Sequence, residues 1–459
     1  MSTINTTLRV RNHRVLLGLI GLNGFRFLYL TVLLVYGHAI GYNIFMYYKP
    51  GSEEYMRFLV GVILLVVLSL TFFRILRTMK VSGGSPMLFL ILYLLFSALS
   101  IVNTYLYFGT IDIKQYAVGF YRSTLPVALA FLAYSGVRNL NQAFNLFLSI
   151  SLVNGFLAAI GLVSYLFAED WARFYPQLLK VEKIPLHFGG VLRMTSVLWN
   201  PLVFGVLMAL NSILAWNAIV NANKARILWI VIFSFSVVGT FMSFTRTGWI
   251  MLITGVLTSL LLLRIRMLRR VLGIAVAVMG AFFVLLSISL PMGRYESVSE
   301  AILDHIIAIF EYEDLRIENL KVNLFRIAEN PIGYGLGTAG YAALPTRGIE
   351  SPVVFPNYIA ADNNYLSMAL QVGIPGLIFF MLAQTSALSK ILMRWRKATD
   401  ARERMILATA GGWIVGMAVG MLFLNVWEYN LIPHVVFAVL GVSLRLCDLL
   451  SREGQYACS

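Results

Sequence analysis

The sequence predicts an all-α membrane protein, a polytopic helical bundle of about twelve transmembrane helices with a long outer loop that carries amphipathic helices. Three observations lead there. Of the 459 residues, 59% are hydrophobic and 12% charged, whereas soluble domains run at about 45–50% and about 25%. The apolar runs are about 20 residues long, enough to cross ~30 Å of hydrocarbon as helix, and they lack the ten-residue alternation of a membrane β-barrel. The basic residues are also unevenly shared between alternate loops, as a fixed membrane orientation requires.

In chain order, spans are expected near 25–45, 58–73, 87–108, 116–134, 143–167, 198–219, 227–244, 248–263, 271–290, 363–388, 406–425 and 431–444. The first follows a basic start (Arg9, Arg11, Arg14) without a small-residue cleavage site, so it reads as an uncleaved span. One set of loops holds 21 of the 36 Lys and Arg and only four acids, Asp400, Glu403, Asp448 and Glu453. By the positive-inside rule these loops and both termini are cytoplasmic. The net charge of +15 is therefore topological and does not point to nucleic acid. The two cysteines, Cys447 and Cys458, fall on the inner side and build neither a disulfide framework nor a metal cluster. His187, His305 and His434 are isolated, and no metal is expected.

The chain reads as one transmembrane domain, 1–459, with no obvious internal repeat. Two outer loops stand out. The shorter, 168–199, contains Trp171, Tyr175, His187 and Arg193. The longer is a subdomain, 291–362, between spans nine and ten. Within it, Ile302, Ile306, Ile309 and Phe310, then Leu320, Leu324 and Ile327, recur at helical spacing around Glu311, Glu313, Asp314 and Glu318. Two amphipathic helices are expected, the second ending at Asn330-Pro331. Gly333-Tyr-Gly335-Leu-Gly337-Thr-Ala-Gly340 follows. Gly335, Gly337 and Gly340 fit the spacing G-x-G-x-x-G, but the flanking strand and βαβ unit of a dinucleotide site are missing. A close-packed turn or a phosphate-facing nest remains.

The candidate chemistry is mostly cationic. Arg246, in Phe244-Thr-Arg246-Thr-Gly248-Trp249, sits at the outer junction of two spans. An anion site is favoured there over snorkelling to lipid headgroups. Arg193, in Arg193-Met-Thr-Ser-Val-Leu-Trp-Asn200-Pro201, enters another span from the same side. Two guanidinium groups on one face suit a diphosphate, because each offers a bidentate fork. Arg122, one turn inside a third span, and Arg316, in the long loop, can add to the positive site; Glu313 or Asp314 is the competing partner for Arg316. Asp362 and Asn363 open a span. Either can cap the helix, and Asp362 beside the arginines can also draw a proton from a hydroxyl.

In succession, Arg193 with Asn200-Pro201, Thr245-Arg246-Thr-Gly248-Trp249, Asn330-Pro331-Ile-Gly333-Tyr-Gly335-Leu-Gly337, and Asp362-Asn363-Asn-Tyr365-Leu366 with Gly373-Ile-Pro-Gly376 resemble the O-antigen ligase and polymerase superfamily. The resemblance covers roughly residues 192–376. It implies a bacterial inner-membrane glycosyltransferase whose donor is a glycan on undecaprenyl diphosphate, presented from the periplasmic side, with no nucleotide sugar, cofactor or metal. The family's diphosphate-binding arginines map to Arg193 and Arg246, with Arg316 as the loop arginine. Ligases of the family typically carry a histidine where this chain has Asp362, which tilts the reading toward a polymerase of O-antigen, capsule or exopolysaccharide. A ligase joining glycan to lipid A core or to protein, and a polysaccharide or lipid transporter, are the alternatives. The membrane lipid is a partner, and a chain-length regulator is a further partner the resemblance admits.

Overall fold

The computed structural model describes residues 24–48, 84–167, 187–188, 191–198, 200–221, 225–262, 313–340, 359–429 and 431–456. These form twelve α-helices: α1 (Gly24–Tyr48), α2 (Ser85–Phe108), α3 (Ile113–Gly119), α4 (Leu125–Gly136), α5 (Leu140–Leu166), α6 (Pro201–Asn221), α7 (Arg226–Met242), α8 (Arg246–Leu261), α9 (Glu313–Glu329), α10 (Asn364–Lys397), α11 (Ala401–Gly420) and α12 (Leu431–Tyr456). A π-turn (Phe120–Thr124) joins α3 to α4, and short 3-10 turns precede α6 (Ser196–Leu198) and α12 (Val426–Glu428). Among the described residues the all-helical expectation has one small exception. An antiparallel hairpin of β1 (His187–Phe188) and β2 (Val191–Leu192) leads directly into Arg193.

Six helical segments among the described residues are long and apolar enough to cross a membrane: Ser85–Phe108, Gln115–Gly136, Leu140–Leu166, Pro201–Asn221, Asn364–Lys397 and Leu431–Leu449. Leu28–Gly37, Arg226–Met242 and Arg246–Leu261 are apolar but shorter. The expected spans at 58–73 and 271–290, and the first amphipathic helix of the long loop, lie outside the described residues. The second amphipathic helix is α9, which stops at Asn330-Pro331 because proline has no N–H for another helical turn.

Local chemistry sets the helix ends. Pro86 occupies the first turn of α2, where its missing N–H costs nothing, and Gly109 closes that helix at φ 70°. Asn139 caps α5 by accepting from the Gln142 N–H at 2.9 Å, and Asp400 caps α11 by accepting from the Arg402 N–H at 2.7 Å. The apolar windows of α6 and α12 are 89% buried and that of α2 only 33%, which puts α6 and α12 at the centre and α2 at the edge. α6 packs on α7, α8 and α11, α12 on α4, and α10 on α2. Small residues let backbones meet at the α8–α11 contact: a Cβ on Gly412 would lie 3.0 Å from the Gly255 carbonyl. Trp413 locks α11 to α6 through its indole N–H, which donates to the Leu210 carbonyl at 2.8 Å.

One end of the bundle is stitched by charge. Lys390 on α10 pairs with Asp448 on α12 at 2.6 Å, and Asp448 also accepts from the Tyr134 hydroxyl of α4 at 2.6 Å. Arg394 pairs with the buried Glu403 of α11 at 2.7 Å. The opposite end gathers the starts of α6, α8, α10 and α12, and it holds the candidate site.

Candidate functional site

Arg193 is positioned by backbone on both sides. β2 precedes it, the Met194 N–H donates to the Met242 carbonyl at 2.8 Å, and Asn200 then caps α6 by accepting from the Leu202 and Val203 N–H groups. Its side chain reaches the tight turn between α7 and α8. Nε donates to the Ser243 carbonyl at 2.8 Å, and Nη2 donates to the Phe244 carbonyl at 3.2 Å and to Thr245 Oγ1 at 3.3 Å. A cation there also suits the negative end of α7. Arg193 is 7% exposed. Burial lowers its pKa to about 10, and the nearby Tyr429 phenol acts in the opposite sense. The guanidinium is charged at neutral pH.

Arg246 is the first residue of α8, one position after Thr245. The Arg193 guanidinium thus bonds the turn that leads directly into Arg246, 53 positions further along the sequence. Phe244 adopts φ 47°, an uncommon left-handed conformation for a side chain of this size. Close packing holds it: Thr245 Oγ1 donates to the Pro201 carbonyl at 2.9 Å, and a Cβ on Gly248 would lie 2.9 Å from the Gly205 carbonyl oxygen. The half-buried Arg246 is consequently carried on rigid backbone.

Arg122 is buried in the π-turn, a local irregularity frequent at functional sites. That turn packs on the 3-10 turn Val426–Glu428. Tyr93 on α2 donates to the Ser123 carbonyl at 3.4 Å, and the Tyr121 ring lies 6.3 Å from the buried His434 of α12. Arg316 falls in the first turn of α9, and its side chain lies outside the described residues.

Between Asp362 and Asn363, the structure makes Asn363 the cap. Its Oδ1 accepts from the N–H groups of Tyr365 at 2.8 Å and Leu366 at 3.3 Å. Asp362 is exposed at the mouth of the same helix. The next residue, Asn364, ties α10 to the α11–α12 link. Its N–H donates to the Met421 carbonyl at 2.9 Å, and its Oδ1 accepts from the Trp427 N–H at 2.8 Å.

Gly335 and Gly337 are packed against the bundle. The amides a nest would present are spent inside the protein. The N–H groups of Tyr334 and Gly335 donate to the Leu370 and Gln371 carbonyls at 2.6 and 3.0 Å. Leu336 donates to Ser100 Oγ at 3.3 Å, and Gly337 to Gln371 Oε1 at 2.8 Å. The two carbonyl acceptors are open because α10 is broken. Gly373 has φ 78° and ψ 171° inside it, two residues before Pro375. The break frees the Leu370 and Gln371 carbonyls, and the loop 331–335 pairs with the opened turn. Irregular backbone at such a place must be satisfied by protein.

The carboxylate missed from sequence is Glu428, only 2% exposed. It accepts from Ser367 Oγ in a short contact and from Gln371 Nε2 at 3.2 Å. Ser367 and Gln371 stand one turn apart on α10. The only sequence cue is an acid alone in the link 421–430, between two apolar runs. Among the described residues, no three His, Cys, Asp or Glu side chains come together as a metal would need.

Residues 230–381 match the family model described as O-antigen ligase. No curated protein matches the chain. The match takes in Arg246, the glycine loop, Asp362 and the break in α10, and it supports the O-antigen ligase/polymerase superfamily suggested by the motif order. The family consists of glycosyltransferase-like membrane enzymes that use lipid-linked glycans. Arg122, Arg193 and Glu428 lie outside the matched segment.

Proposed function

We propose that the protein polymerises lipid-linked oligosaccharide repeat units by glycosyl transfer from undecaprenyl diphosphate at the periplasmic face of the bacterial inner membrane. The observation that supports this reading best is the Arg193 guanidinium bonded to the α7–α8 turn that leads directly into Arg246. In the reaction, the bond between the donor sugar's anomeric carbon and the phosphate oxygen breaks, and its electron pair leaves with undecaprenyl diphosphate. A hydroxyl of the acceptor unit forms the new glycosidic bond and gives up its proton. Arg193 and Arg246 stabilise the charge growing on the leaving phosphate, and this lowers the barrier because they bind that charge more strongly in the transition state. Arg122 and Arg316 add positive potential. Asp362, exposed at the mouth of α10, takes the hydroxyl proton. Asn363 holds the helix start in place. No metal takes part in this scheme.

A ligase reading is favoured by the description of the matched family, O-antigen ligase; Asp362, where ligases of the family carry histidine, favours the polymerase. The test is glycan analysis of cells carrying Arg193→Ala or Arg246→Ala. Each is expected to slow transfer about 10²–10³-fold, the loss typical of one electrostatic donor. Chain length should then collapse while single lipid-linked units stay on the outer leaflet. Long polymer retained on the carrier lipid would establish the ligase instead. Units trapped on the inner leaflet would establish a transporter.

A further inference from the structure

Glu428 is a buried carboxylate on a turn packed against one that carries a buried cation. Its turn, Val426–Glu428, packs on the π-turn that carries the buried Arg122, and the next residue, Tyr429, interacts with the Arg193 guanidinium. The segment 426–429 therefore bridges the two cationic parts of the site. The carboxylate is also held still. Gln371 Nε2 donates to Ser367 Oγ at 2.8 Å and to Glu428 at 3.2 Å, Ser367 donates to Glu428, and Gln371 Oε1 takes the Gly337 N–H at 2.8 Å. A Cβ on Gly340 would lie 2.8 Å from both carboxylate oxygens, so the glycine loop lies directly against them. No base is needed in such a satisfied pocket. A fixed negative charge is useful there, because buried guanidinium groups repel one another and lose hydration when no anion is present.

We propose that Glu428 is a positioning residue, the resident counter-charge of the anion site, which holds the cationic end together before a diphosphate arrives and competes with that diphosphate once it binds. The proposal rests on the anion-site reading given above. A carboxylate near the bound ligand repels it through a medium of intermediate polarity, so removing the charge tightens anion binding even as it weakens the empty protein.

The probe is inorganic pyrophosphate, titrated calorimetrically against the purified full-length protein in detergent micelles, with thermal unfolding followed in parallel. Glu428→Gln keeps an oxygen for Ser367 and removes the charge. It is expected to unfold at a lower temperature without ligand and to bind pyrophosphate at least tenfold more tightly than the unmodified protein. A merely structural role predicts the lower unfolding temperature with unchanged affinity, and that result overturns the proposal. Gln371→Lys serves if Glu428→Gln does not fold, since its ammonium neutralises the carboxylate in place; it must also tighten binding, and unchanged or weaker affinity counts against the idea. Arg193→Ala separates the two levels. If pyrophosphate binds the unmodified protein and that binding needs Arg193 but ignores Glu428, the counter-charge alone fails. If the unmodified protein does not bind pyrophosphate, the anion site and the counter-charge both fail.

Discussion

Arg193 shows how far burial can retune one side chain. Its pKa is lowered to about 10 by desolvation, against a usual value above 12. The charged form is the one that binds an anion, so affinity is full at neutral pH and declines as pH rises through about 10. A bound anion favours the charged form and moves that decline to higher pH. Pyrophosphate titrations between about pH 8 and about pH 11 should therefore show a loss of affinity that is absent in Arg193→Ala; an identical profile in both proteins would refute the assignment. Gly335 offers a second residue-scale test. It sits at φ 107°, and a Cβ there would lie 2.9 Å from the Thr104 Cβ and 3.0 Å from the Ser100 carbonyl. Gly335→Ala combines backbone strain with overpacking and should destabilise by about 3 kcal/mol, measured as a lowered unfolding temperature in micelles. An unchanged unfolding temperature would mean the loop is not seated as described.

At the scale of elements, the break in α10 organises the site end. Proline at 375 cannot donate to the Gln371 carbonyl, and Gly373 turns the chain away from helical geometry. The freed carbonyls take the Tyr334 and Gly335 amides, and the Ile374 N–H returns to the Pro331 carbonyl at 2.8 Å. The loop and the broken helix are thus one unit. Gly373→Ala forces a side chain into φ 78° and against the Ile332 backbone at 2.6 Å, so it should expel the loop. Hydrogen exchange at the Tyr334 and Gly335 amides should then accelerate at least tenfold, while exchange in α6 stays slow. The π-turn at Arg122 is the second irregular element of the same end. Neither was read as irregular from the sequence. Gly373-Ile-Pro-Gly376 is written in the sequence, but its hydrogen-bond partners lie some forty positions earlier, and no local rule points to them.

For the molecule as a whole, the two ends of the bundle have opposite chemistry. Lys390, Arg394, Glu403 and Asp448 close one end with ion pairs, while Arg122, Arg193, Arg246 and Glu428 lie toward the other. On the charge bias of the loops, we propose that the first end faces the cytoplasm. That orientation is testable in intact cells carrying single cysteines on a background without Cys447 and Cys458. Asp362→Cys should react with a membrane-impermeant maleimide from the periplasm, and Arg402→Cys only after the inner membrane is permeabilised. The reverse pattern would place the arginines on the wrong side for a lipid-linked glycan presented outside.

The sequence by itself determined the class of fold, the sidedness expected of each loop, the end of α9 at Asn330-Pro331 and the identity of Arg193 and Arg246 as a pair of interest. Hydropathy, charge bias and proline act locally, so they can be read in order along the chain. Tertiary structure decided that Asn363 and not Asp362 caps α10, that the glycine loop is packed with its amides satisfied, and that Glu428 is buried on a turn packed against the one that carries Arg122. Each of those outcomes depends on which distant segment supplies a hydrogen-bond partner or a charge, and that is fixed only when the helices pack.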